Sequence, residues 1–116
     1  MFLIHNSISQ ASLLASALVD VHRINGKWYA KSQEELAHTL FLKLLKTEIN
    51  FSTHPPIQAE NAANQLNSVN DKQELIELLI AFEMLCNPIP ESLSNAIDAW
   101  ARALDCDMDL LRLSRE

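Results

Sequence analysis

The strongest constraint on this chain is that it writes nearly the same apolar pattern twice. Leu13, Leu14, Ala17 and Leu18 fall into register with Leu75, Ile76, Leu79 and Ile80. In each copy an apolar helix runs into a polar break, Asn25-Gly26 in the first and Asn87-Pro88 in the second, and then into another apolar helix. Repeats of one supersecondary unit bury their faces against each other. The sequence therefore predicts an all-α domain of five to six helices, built as two helix-turn-helix hairpins in a pseudo-twofold arrangement.

The breakers agree. One glycine and four prolines in 116 residues leave little punctuation for a strand-rich fold. The length is that of one domain, 1–116, with halves of about 1–50 and 57–116 joined by the 50–56 loop. In that loop His54-Pro55-Pro56 cannot continue a helix, which marks a hinge between the halves.

Six helices are expected. The first runs from about Ser7 to Arg23, with Leu13, Leu14, Ala17, Leu18 and Val21 on one stripe and Asn25-Gly26 as its C-terminal stop. The second starts at Ser32, where Ser32 and Glu35 form a capping box, and carries Leu36, Leu40, Phe41, Leu44 and Leu45. A short third helix covers about Ile57 to Val69. The fourth, capped by Asn70 or Asp71, runs to about Cys86 and is apolar around more than one face, which places it at the centre. The fifth runs from Pro90 or Glu91 to about Leu104, with Leu93, Ile97, Trp100, Ala101 and Leu104 on one stripe. Asp105 or Asp107 caps a short last helix.

The net charge of −6 argues against nucleic acid, because phosphate contacts need a basic surface. Lys27, Lys31, Lys43 and Lys46 form one basic stretch, diluted by Glu34, Glu35 and Glu48 and read as a solvated face. No signal peptide is visible at Met1-Phe-Leu-Ile-His, and the apolar runs fall short of the ~20 residues of a spanning helix. A cytoplasmic, acidic protein is expected. Cys86 and Cys106 then read as reduced thiols.

The unit of apolar helix, Asn-Gly or Asn-Pro, connector, and apolar helix ending in Ala-x-x-Leu resembles the TerB-like domains named after tellurite-resistance proteins. The second half carries the closer likeness, in Glu74-Leu-Ile-Glu-Leu-Leu-Ile-Ala, Asn87-Pro-Ile and Ala101-Arg-Ala-Leu-Asp-Cys. The resemblance implies an all-helical fold with an acidic turn in each half, whose Asp is a metal-ligand candidate. Here those positions are Asn25 and Asn87, which offer only neutral carbonyl oxygens to a hard cation. A divalent metal is thus the alternative cofactor, held by Asp20, His22 and Asn25 at one turn and by Asn87 and Glu91 at the other; the primary expectation is no cofactor.

No catalytic constellation stands out. His5, His22, His38 and His54 lack close zinc-type spacing, although His22 and His38 can meet across the first hairpin. Asp105, Asp107 and Asp109 lack the central Gly and terminal Glu of a calcium loop. Neither cysteine has the electropositive setting a nucleophile needs. What remains is apolar excess. Trp28, Tyr29, Phe51 and Trp100 fall at helix ends or loops, either as core and connector packing or as an interface. The leading expectation is a non-catalytic interaction module, as a small adaptor or part of a larger protein, meeting a protein partner or a second copy. A metal-binding stress-response protein and an apolar-ligand-binding helical domain are the alternatives.

Overall fold

The computed structural model describes residues 8–66 and 68–106, with side chains from 11 onward. Helix α1 spans Ile8–His22. A two-residue turn then links strands β1 (Arg23–Ile24) and β2 (Lys27–Trp28), paired antiparallel with Arg23 opposite Trp28. Helix α2 spans Lys31–Thr39 and continues as a π-helical turn over Leu40–Leu44. Helices α3 (Ala59–Gln65), α4 (Val69–Glu83) and α5 (Glu91–Ala103) complete the described chain. The fold is predominantly helical, with five α-helices and one small two-stranded ribbon among the described residues. The expected sixth helix lies outside the described residues.

The core follows the apolar stripes. Leu14, Ala17, Leu18 and Val21 of α1 meet Leu75, Ile76, Leu79 and Phe82 of α4, and Leu93, Ile97 and Trp100 of α5 pack against both. Helix α4 is buried on several faces, at Leu75, Ile76, Leu78, Leu79, Ile80 and Phe82. That is the arrangement its all-round apolar sequence calls for.

Four local expectations are corrected. Asn25-Gly26 is not a helix stop. It is the turn of the ribbon, and both residues have positive φ, 53° at Asn25 and 78° at Gly26. Two consecutive left-handed residues make the type I′ turn whose twist matches that of paired strands, and Asn-Gly is its preferred sequence. The helix ends before it, at His22.

The cap of α2 is Ala30 and not Ser32. Gln33 accepts the Ala30 N–H through its side-chain oxygen at 3.3 Å, which leaves Ser32 to reach across toward the Leu85 carbonyl at 3.5 Å. The cap of α4 is Ser68, whose hydroxyl accepts the Asp71 N–H at 3.0 Å; Asp71 is already inside the helix. A side chain caps the donor two or three residues ahead, so one residue of local geometry decides which candidate serves.

The last correction concerns the end of the second helical segment. The i→i+5 bond from Leu45 N–H to Leu40 O widens the final turn. A π turn advances each residue by less than 100°, so the stripe slips in phase. Leu40 and Phe41 stay buried while Leu44 turns out to solvent beside Leu42.

The 50–56 loop is pinned to the body. His54 Nε2 lies 3.0 Å from Ser16 Oγ and 3.1 Å from the Ser12 carbonyl, both on α1. Phe51 is buried against Phe41 and Trp28. Asn87-Pro88 is a cis peptide. At the end of α5, Asp105 has φ 56°, its N–H bonds to Arg102 O, and Cys106 N–H bonds to Ala101 O. This is the paired closure of a Schellman motif with Asp in the usual glycine position.

Candidate functional site

Three polar side chains sit where the helical phase demands apolar ones. His22 follows Leu14 and Leu18 on the α1 stripe. Gln33 precedes Ala37, Leu40 and Phe41, and Glu83 follows Ile76 and Leu79. All three are fully buried. Buried polar groups must find partners, and these do. His22 Nε2 donates to the Leu79 carbonyl at 2.9 Å. The Gln33 amide donates to His22 Nδ1 at 3.0 Å and to the Phe82 carbonyl at 2.9 Å. Ser94 donates to Glu83 Oε2 at 3.1 Å.

The network ties the C-terminal end of α1 and the first turn of α2 to the last turn of α4. The Leu79 and Phe82 carbonyls near the end of α4, the second of which also accepts the Leu85 N–H, each take a further hydrogen bond from a side chain of a neighbouring element. Burial holds the His22 pKa down to about 4, against 6.5 ordinarily, so the ring is neutral with its proton on Nε2. It packs on Phe82, centroids 5.5 Å apart.

The residues named from sequence as metal candidates are placed as follows. His22 has both ring nitrogens hydrogen-bonded and no solvent exposure, so it does not fit a ligand role in this geometry. Asp20 Oδ2 accepts the Trp100 indole N–H at 2.9 Å, and partial burial holds the Asp20 carboxyl above the usual carboxylate range despite that bond. Asn25 is spent on the hairpin turn. Asn87 is exposed in the loop between α4 and α5, and Glu91 is exposed at the start of α5. Among the described residues, no group of three or more His, Cys, Asp or Glu gathers as a cation site. His22 meets Gln33 and not His38, which lies exposed and edge-on to Phe51 at 6.4 Å.

The four interface candidates divide. Phe51 and Trp100 are buried and present almost no surface to a partner. Trp28 is half-buried, stacked near Phe82 at 6.2 Å and edge-on to Phe51 at 5.2 Å. Tyr29 is half-buried with its hydroxyl 3.3 Å from Ser92 Oγ. Burial raises both cysteine pKa values, helped by Glu83 at Cys86 and by Asp105 at Cys106, so neither thiol is a ready thiolate.

Two surface features remain. The loop between α4 and α5 exposes Met84, Leu85 and Ile89 within a few residues, with Met84 54% exposed. On another side an open cleft of about 880 Å3 lies between the ribbon, α2 and the 48–52 segment, lined by Arg23, Lys27, Trp28, Lys31, Glu34, His38 and Glu48 among others. Arg23 is fixed there. Its guanidinium donates to the carbonyls of Phe51 and Gly26, and it lies 5.6 Å from the centre of the Trp28 ring. Sequence reasoning missed Gln33, Glu83 and Arg23. For the first two the signal was legible, since each is a polar residue at a stripe position.

Comparison with protein-family models, with curated proteins and with solved structures finds no match for this chain. No described helix is long and apolar enough to cross a membrane.

Proposed function

We propose that this chain is a non-catalytic interaction module that meets a protein partner through the loop joining α4 to α5. The observation that supports this reading is the exposure of Met84, Leu85 and Ile89 in one short segment. Methionine and aliphatic side chains grouped on a surface are what partner interfaces draw on. The buried groups fit the same reading, because His22 and Gln33 are committed to the fold and have no solvent path to a substrate.

The test uses Met84→Asp together with Ile89→Asp. Met84 is 54% exposed and Ile89 37%, and an unchanged thermal midpoint checks that the variant is folded. Wild type and variant are compared by affinity capture from host lysate and by sedimentation velocity. The expected result is one dominant partner, or a concentration-dependent dimer, present with the wild type and lost with the variant. Identical captured proteins and a strict monomer for both chains would overturn the reading.

A further inference from the structure

We infer that the cleft beside the ribbon binds a small monocarboxylate carried on an apolar body. Its volume of about 880 Å3 lies within the range of small-ligand sites. Arg23, Lys27 and Lys31 all line it. They are three of only nine Lys and Arg residues in a chain of net charge −6. None of the three forms an ion pair with a described residue.

Arg23 makes the strongest case. It is partly buried, its terminal nitrogens are engaged by two backbone carbonyls, and its Nε is shut off from solvent without a partner. A cation held partly out of water by two backbone carbonyls and the face of the Trp28 ring still lacks a carboxylate, and an anion beside it supplies the missing charge. Lys27 and Lys31 are exposed, on the ribbon and on the first turn of α2, and both line the cleft.

The rest of the lining selects the ligand. Trp28, Ala30 and Ile49 offer apolar surface for an aliphatic or aromatic body. Glu34 and Glu48 stand in the same cleft. Glu48 also borders an adjoining hollow of about 190 Å3, shared with His38, Phe41, Leu42, Ile49 and Phe51. Three cations against two carboxylates leave a small positive excess, which suits one negative charge better than the two of a phosphate. The carboxylate belongs beside these cations and the body on the apolar surface of Trp28, Ala30 and Ile49.

The experiment is a 15N–1H NMR titration of the whole chain at low salt. Its probes are N-acetylphenylalanine, the uncharged N-acetylphenylalaninamide, and inorganic phosphate. The carboxylate is expected to give saturable shifts at the amides of Gly26, Lys27, Lys31 and Asn50 and at the Trp28 indole N–H. The amide and phosphate are expected to bind more weakly at the same signals. Lys27→Gln with Lys31→Gln should weaken carboxylate binding about three- to tenfold, given the modest worth of exposed charge pairs. Both lysines are exposed, so an unchanged thermal midpoint is the check that the variant is folded. The inference is overturned if the amide binds as well as the acid, if phosphate binds more tightly, if the variant binds as wild type does, or if no signal saturates by roughly 20 mM probe, the limit of weak binding. The Met84 and Ile89 variant leaves this titration unchanged, so the two sites fail or succeed separately.

Discussion

At the scale of single residues, the molecule is decided by polar side chains placed on apolar stripes. His22 is the one with a pH signature. The unfolded chain protonates it near the ordinary 6.5, while the folded chain refuses the proton until about pH 4. Between those values the unfolded state binds more protons, so stability is full above 6.5 and falls as pH drops toward 4. The loss approaches 1.4 kcal/mol per pH unit and totals about 3 kcal/mol. Urea midpoints from pH 7 to pH 4.5 should show this slope, and a His22→Gln chain should show only the remaining, carboxylate part of it. Equal slopes would mean the imidazole is not buried as a neutral ring. Gln33→Leu keeps the volume and removes the donor. His22 Nδ1 then has no partner and the Phe82 carbonyl keeps only its bond from Leu85 N–H. A loss of about 2 kcal/mol is expected in denaturant unfolding, because an unmade buried hydrogen bond costs more than a made one contributes. Both residues were readable as members of the stripe. That they face each other was not, since phase gives a direction within one helix and says nothing of which neighbour stands opposite.

At the scale of elements, the turns carry the specificity. Gly26 has open space around its Cα, with nothing within 4 Å of a Cβ placed there. Its φ of 78° is the only objection to a side chain. Gly26→Ala should therefore cost about 1 kcal/mol, purely from backbone conformation, read as a lower thermal midpoint with the core unchanged. A cost near zero would contradict the type I′ turn. The Asn-Gly pair was visible in sequence as the end of a helix. Its use in the ribbon was not, because a helix stop and a hairpin turn ask the same of the backbone. What distinguishes them is whether Arg23–Ile24 and Lys27–Trp28 find each other as strands. The π turn at Leu40–Leu44 was equally hidden. Apolar residues crowd positions 40–45, so the sequence does not reveal that one of them has slipped out of phase.

At the scale of the whole molecule, α4 holds the core. Leu79 is fully buried where α1 and α4 meet. Leu79→Ala should cost about 2–5 kcal/mol through lost burial and the cavity left behind, whereas Val69→Ser, at a position 80% exposed, should stay within about 0.5 kcal/mol. Denaturant unfolding of the pair measures the contrast, and similar losses would place α4 at the edge and not the centre. The radius of gyration of 13.1 Å is that of a close-packed chain of this size, about 13 Å for 100 residues, so one core serves both halves of the repeat. By itself the sequence determined the helices, their buried faces and the central place of α4, because hydrophobic periodicity is local and is written residue by residue. Only the tertiary structure decided that Phe51 turns inward from its loop, that His22 and Gln33 close on the end of α4, and that Arg23, Lys27 and Lys31 share one cleft. Those outcomes depend on distances between segments far apart in the chain, and such distances are set when the stripes pack.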